Sequence, residues 1–186
     1  MKACTSDSHP MQIATLPVRT GRIGISFCPG KHQADAMSGV WARDLATDLD
    51  AVRNWGAAAV VTLVEAHELS ALKVEALGDE VGSRGMSWFH LPIRDVSVPG
   101  PLFEEGWREA GGALRELLRS GKSVFVHCKG GLGRAGTVAA RLLVELGEEP
   151  DAAIAKVREV RSRAIETKEQ EDYVRAIARG GLVPER

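Results

Sequence analysis

The sequence predicts an α/β fold, a central and mainly parallel sheet flanked by helices on both faces. Three observations predict it. The runs AAAVVTLV (Ala57–Val64) and SVFVHC (Ser123–Cys128), with MSWFHLPI (Met86–Ile93) between them, read as core strands, the first with no polar face at all. They alternate with stretches whose apolar residues recur at helical spacing, the order that builds layered α/β domains. The last of the strands runs directly into a burst of glycine and a further helix, and open parallel sheets collect their ligands at such strand ends.

Taken in order, residues 1–10 read as a loose N-terminal tail, polar and closed by Pro10. Ile13–Val18 and Arg22–Phe27 read as short strands broken by RTG. Leu45, Leu49, Val52 and Trp55 form one helical stripe, which Gly56 ends. The stretch EAHELSALKVEALGDEVG is helical in composition but interrupted, and Pro92, Pro99, Gly100 and Pro101 mark an irregular loop. Phe103, Trp107, Ala110, Leu114 and Leu117 make a second stripe, which Gly111 and Gly112 weaken by about 1 kcal/mol each relative to alanine. Three helices are expected after the glycine loop, over 134–146, over 152–161 with Ile154, Val157 and Val160 inward, and over 168–179, before a C-terminal tail at 181–186. Residues 11–180 are expected to form a single domain, with no repeat or linker.

A chain of 186 residues with 44% hydrophobic side chains is long enough to bury a sizeable core. Its net charge of −1 gives no global reason to expect nucleic acid or a membrane surface as partner. The N-terminus lacks the apolar run of a secretory signal, and Ala57–Val64 falls far short of the roughly 20 residues that span a bilayer. A soluble, cytoplasmic protein is the expectation. The three cysteines, Cys4, Cys28 and Cys128, are too few for a disulfide framework, and no Cys/His pair has zinc-ligand spacing.

The junction itself reads VFVHCKGGLGRAGTVAARLL, Val124–Leu143. A nucleoside-triphosphate loop would need lysine followed by Ser or Thr at the helix start, where Arg134 and Ala135 stand; a dinucleotide loop would need its glycines in another order and has no use for Cys128. The remaining reading is an anion pocket built on Cys, five residues, then Arg. Lys129, Gly130, Gly131, Leu132 and Gly133 can curl so that successive N–H groups face one tetrahedral anion, with Gly130, Gly131 and Gly133 permitting positive φ and close backbone approach. Arg134 can grip two oxygens through its planar fork, and the helix N-terminus adds positive potential that also favours a thiolate on Cys128. A free cysteine alone is more often a buried strand-end residue. The spacing of His127, Gly131, Gly133 and Arg134 around this one favours a nucleophile at the floor of its own substrate's anion site.

HCKGGLGR resembles the His-Cys-x-x-Gly-x-x-Arg signature of the cysteine-dependent protein phosphatases. FCPGKHQADAMSGVWARDLATDLDAVRNWGAAAVVTLVEAHEL, LPIRDVSVPG and AIETKEQEDYV occur in the order and approximate spacing of the cyclin-dependent-kinase-associated phosphatase branch of the dual-specificity group. The similarity spans roughly residues 22–178 and implies a protein tyrosine phosphatase-like fold with no cofactor or metal. It implies two-step transfer from a phosphoprotein through a phosphocysteine on Cys128, by a protein expected to be monomeric. Arg134 and the loop amides would hold the phosphate, Asp95 would be the general acid, and His127 would orient the cysteine. Two departures stand out. Ala135 takes the place where the family usually has Ser or Thr, with Thr137 two positions on. Glu166 takes the place of a glutamine that helps position water, while Thr167 and Gln170 also fit a helix capping box. Lys129, Arg94 and Lys31 add positive charge, His67 with Glu65 and Glu68 reads as surface rather than a metal set, and Cys28 has a redox role only if the fold brings it to Cys128. An inositol phosphate or RNA 5′-end phosphatase, or a phosphoprotein-binding module, remain alternatives.

Overall fold

A computed structural model describes residues 3–177. A five-stranded sheet runs in the order β1 (Ala14–Val18), β2 (Gly21–Ser26), β7 (Ser123–His127), β5 (Ala57–Thr62), β6 (Ser87–His90). The hairpin β1–β2 is antiparallel, and every other pairing of this five-stranded sheet is parallel. Every residue of the central β7 is buried, and its side chains alternate between two cores. Val124 and Val126, with Ile23, Ile25, Ala59 and Val61, face α4 (Pro101–Arg119), α5 (Gly133–Glu145), α6 (Pro150–Val160) and α7 (Lys168–Ile177). Phe125 and Val60 face α1 (Leu45–Trp55), α2 (Ala66–Ala71) and α3 (Leu77–Ser83). The period-two alternation that a two-sided sheet requires is therefore present even where every residue is apolar.

Local chemistry fixes the helix ends. Asp44 caps α1 by accepting from the Thr47 N–H at 2.7 Å, and Gly56 closes it in the left-handed region at φ 102°. Pro101 opens α4 at a position that needs no donor. Gly111 weakens that helix for a reason: a Cβ there would lie 2.6 Å from the Trp107 indole, which packs across it.

Several expectations are corrected. The interrupted helical stretch is two helices, α2 and α3, parted at Lys73 in the left-handed region (φ 59°). Two strands of two residues each, β3 (His32–Gln33) and β4 (Trp41–Ala42), are too short to leave a periodic signal. The segment expected as a loose tail is folded from Cys4 onward. Cys4 pairs with the strand at Trp41, the Ser6 hydroxyl is buried against the backbone of Asp44, and Arg43 donates to the carbonyls of Thr5 and His9. The cause is Arg43 itself. Fully buried, it forms a two-pronged pair with buried Asp48 (2.8 Å on each prong), and its remaining N–H groups need acceptors that the N-terminal chain supplies. Asp48 in turn accepts from the Gly30 N–H at 2.8 Å, which sets the loop leading to Lys31. Helix α7 begins at Lys168 as expected; residues 178–179, and the tail at 181–186, lie outside the described residues.

Candidate active site

Cys128 follows the last residue of β7, only 3% exposed, and the chain turns through five residues into α5. Each outward carbonyl of the turn has a partner. Lys129 O accepts from the Cys28 N–H and from Lys31 Nζ (both 3.4 Å), and Gly130 O from Arg161 Nη2 at 3.2 Å. Gly131 O accepts from Arg161 Nε at 3.0 Å, and Leu132 O from the N–H groups of Gly136 (2.9 Å) and Ile165 (3.4 Å). Because N–H and C=O point opposite ways across a planar trans peptide, anchoring these four carbonyls outward turns the N–H groups of residues 130 to 133 inward. The Gly131 N–H already donates to Cys128 Sγ at 3.2 Å, the hydrogen bond a thiolate needs.

The three glycines use the expected freedoms unequally. Gly131 alone has positive φ (71°), and a Cβ on it would sit 2.3 Å from the Ser26 carbonyl carbon, so β2 closes over this position. Gly133 is required by close approach, since a Cβ would meet Glu166 Oε2 at 2.4 Å. Gly130 faces open space and uses neither freedom.

Arg134 is buried and held from several sides. Its Nη1 donates to Glu68 Oε2 (2.6 Å) and to Ile93 O (3.0 Å), and Nη2 donates to Glu68 Oε1 (3.0 Å) and pairs with Asp95 Oδ1 at 2.9 Å. Burial opposes the Arg134 charge, but the Glu68 hydrogen bonds and the charges of Cys128, Glu68 and Asp95 outweigh it and raise its pKa. Burial likewise raises the Glu68 carboxyl, yet its bonds from Arg134 and the Glu65 N–H leave it below the ordinary value. Both stay charged. Lys31, buried with Nζ 4.6 Å above the Trp41 ring, has its pKa lowered by desolvation, against which Cys28 and Cys128 act. Desolvation also lowers Arg161, with Cys128 opposing.

His127 is completely buried, and burial depresses it to about 3, so the ring is neutral. Its Nε2 lies 2.8 Å from the Thr62 hydroxyl, while Nδ1 sits toward the Cys128 backbone without a well-formed hydrogen bond. Cys28 is buried, with its thiol 3.6 Å from Pro29 O, and its pKa is raised, chiefly by burial. Arg94 and His67 line a cleft of about 590 Å³ beside the Asp95 loop, with Glu65, Val98 and Leu102. Thr167 and Gln170 form the capping box: Gln170 N donates to Thr167 Oγ1 at 3.2 Å, and Thr167 N to Gln170 Oε1 at 3.4 Å. Gln170 does more, since its Nε2 donates to Ser97 O at 3.1 Å and ties α7 to the acid loop. Glu166 places a carboxylate oxygen 2.8 Å from the Gly133 N–H. The Thr137 hydroxyl donates back to Gly133 O at 2.8 Å and is not turned to the sulfur; Ala135 is buried.

Sequence reasoning missed Glu68, Arg161 and Thr62. Glu68 was readable only as a carboxylate one turn into a helix that follows a core strand, and it is buried where surface was expected. Arg161 acts on backbone carbonyls, which leave no mark in the side-chain pattern.

The chain is similar to several known proteins. A family described as "Polymorphic toxin system, DSP-PTPase phosphatase" matches residues 36–148. The cyclin-dependent kinase inhibitor 3 of Rattus norvegicus is 31% identical over 180 residues, covering 90% of this chain and 79% of the relative. The PRL-1 phosphatase of Drosophila melanogaster is 32% identical over 93 residues, about half of each chain (49% and 51%). Among solved structures, kinase-associated phosphatase with its catalytic-site cysteine changed to serine superposes with a TM-score of 0.80 at 27% identity, covering 94% of this chain and 97% of that one. Tk-PTP in its active form gives 0.66 at 32% identity, with 88% and 96% covered. With its signature loop at the end of β7 and these relatives along nearly its whole length, the chain belongs to the dual-specificity group of the protein tyrosine phosphatase superfamily, in the kinase-associated phosphatase-like branch, and is a cysteine-dependent phosphatase.

Proposed function

We propose that the protein removes phosphate from phosphoproteins, with Cys128 as nucleophile, Arg134 and the inward amides of the loop as the phosphate cradle, and Asp95 as general acid. The observation that carries the assignment is the anchoring of four consecutive loop carbonyls outward around a buried cysteine, which turns the loop N–H groups the other way, where that of Gly131 meets Cys128 Sγ and that of Gly133 meets the Glu166 carboxylate. Sulfur attacks phosphorus as the ester oxygen leaves with the Asp95 proton, and the developing charge on the equatorial oxygens is met by dipoles already in place. Water then attacks the phosphocysteine and gives its proton to the Asp95 carboxylate left by the first step, releasing inorganic phosphate and restoring the thiolate. Asp95 pairs with Arg134 Nη2, so a phosphate oxygen taken by Nη2 displaces the Asp95 carboxyl, whose side chain, 56% exposed, stands at the rim beside the leaving group. Phosphoprotein substrates are supported by the likeness to the kinase-associated phosphatase.

The test is leaving-group dependence. Asp95→Asn is expected to lower turnover of a phosphothreonine peptide by about 10²–10⁴-fold and that of an activated aryl phosphate far less, since a good leaving group needs no proton. An equal loss on both substrates would assign the acid elsewhere. Comparing phosphopeptides with inositol phosphates on the wild type then decides the substrate class.

The second step has its own signature at Ala135. A hydroxyl at that position would donate to the departing sulfur, and Thr137 does not replace it because its proton is committed to Gly133 O. One hydrogen bond to a charged group contributes about 1.5–3 kcal/mol, a 10- to 150-fold rate difference when it forms mainly in the transition state. Stopped-flow kinetics with an aryl phosphate is expected to show a burst of alcohol followed by slower turnover, and Ala135→Ser to shrink the burst and raise the steady rate. Absence of both effects would mean that the first step limits turnover.

A further inference from the structure

We propose that Trp88 is a positioning residue for the nucleophile: acting through Thr62, it fixes which nitrogen of His127 carries the proton, so that an N–H and not a lone pair faces the backbone of Cys128. The inference rests on the reading of Cys128 as nucleophile but adds two residues that the signature does not contain.

An indole N–H can only donate, and Trp88 Nε1 lies 2.8 Å from Thr62 Oγ1. Thr62 is fully buried, and its hydroxyl oxygen has one further polar neighbour, His127 Nε2, at 2.8 Å. With the indole proton already received, the threonine's own proton has one acceptor in reach, and that is Nε2. A buried hydroxyl without an acceptor would leave a desolvated donor unpaired, which proteins avoid. Nε2 is therefore the unprotonated nitrogen. Since His127 is buried and neutral, the ring's single proton is on Nδ1, next to Cys128.

Trp88 is built to stay in place. It belongs to an edge strand and is partly exposed, yet its ring is clamped on two sides. On one it stacks on His90 at 5.3 Å between centroids and 14° between planes, and His90 is itself tied through Nε2 to Val64 O at 2.9 Å. On the other it lies against α3 at Gly78, where a Cβ would meet the ring at 2.4 Å. The stack on His90, the approach to Gly78 and the bond to Thr62 together fix where the indole N–H points. The charged and titratable groups around this chain are Arg134 and His90 near the imidazole, and Arg134, Lys31, Arg161 and Cys28 near the thiol, with Glu68 and Asp95 behind Arg134. None of them hydrogen-bonds His127 Nε2, so none can take over the choice of tautomer.

The experiment follows the tautomer directly. In full-length protein carrying ¹⁵N-labelled histidine, the wild-type His127 ring is expected to be protonated at Nδ1, and Trp88→Phe, which keeps a ring for the stack, to convert part or all of it to the Nε2-protonated form. A wild-type ring protonated at Nε2, or an unchanged ring in Trp88→Phe, overturns the proposal. The chemical readout is alkylation of Cys128 by iodoacetate at neutral pH, expected to slow by about 3- to 10-fold in Trp88→Phe and in Thr62→Val, the worth of one neutral hydrogen bond. The double variant is expected to be no slower than either single one, because both cut the same chain, and Thr62→Ser, which keeps the hydroxyl, to react like the wild type. Additive losses in the double variant, or wild-type rates in both singles, would also overturn it. Neither readout depends on turnover, so a protein that hydrolyses no phosphate ester but shows the tautomer change would sink the phosphatase assignment of Cys128 and leave this one standing.

Discussion

Cys128→Ser is expected to lower turnover of an aryl phosphate by at least about 10⁴-fold while vanadate or inorganic phosphate still binds. The reason lies in the division of labour within the loop. In the proposed site the anion is held by backbone N–H groups whose directions are set by Cys28, Lys31, Arg161, Gly136 and Ile165, and none of those contacts passes through the sulfur. Serine removes the nucleophile and leaves the cradle, since a hydroxyl is a far weaker nucleophile at neutral pH than a thiolate in the same field. Steady-state kinetics gives the first half of the result and calorimetric titration with vanadate the second. Retained turnover would remove Cys128 from the chemistry, and lost binding would show that the thiolate organises the loop.

Arg134→Lys is expected to cost about 10²–10³-fold in kcat, the scale of losing an oxyanion-stabilising donor. The native guanidinium spends one side of its plane on Glu68, at 2.6 and 3.0 Å, which aims the other side at the anion site. An ammonium is a point charge with no plane to aim, so it satisfies Glu68 or the phosphate but cannot orient both. Glu68→Gln supplies the internal control. It keeps the shape but surrenders the charge, and it is expected to lose less activity than Arg134→Lys while lowering the melting temperature, because the arginine is left with a weaker partner in a buried place. Activity close to wild type in Arg134→Lys would contradict the phosphate-loop assignment.

What could be read in the sequence depended on how local the signal was. The core strands at Ala57–Thr62 and Ser123–His127, the α1 stripe and the glycine loop are contiguous patterns, and each occurs where periodicity and turn chemistry place it. The ingredients that make the loop an anion site are not contiguous. Glu68 reaches Arg134 across 66 positions and Arg161 reaches Gly130 across 31, so neither leaves a spacing rule in a single chain. The N-terminal segment failed for a related reason. Its polarity suggested a free tail, but what decides its course is the need of buried Arg43 for acceptors, a demand visible only once Arg43 is known to be buried. Of the three glycines read as permitting positive φ and close approach, Gly131 uses both, Gly133 the second and Gly130 neither.

The sheet separates two apolar cores, and the groups that shape the loop come from both of them. Lys31 and Glu68 stand on the side of α1, α2 and α3; Arg161, Ile165 and Glu166 follow α6 on the other. Cooperative opening in proteins proceeds by units such as these, each with its own free energy. Opening of either side would take away an anchor of the loop or the partner of the Arg134 fork. The proposed site is thus complete only in chains that have closed on both sides of the sheet.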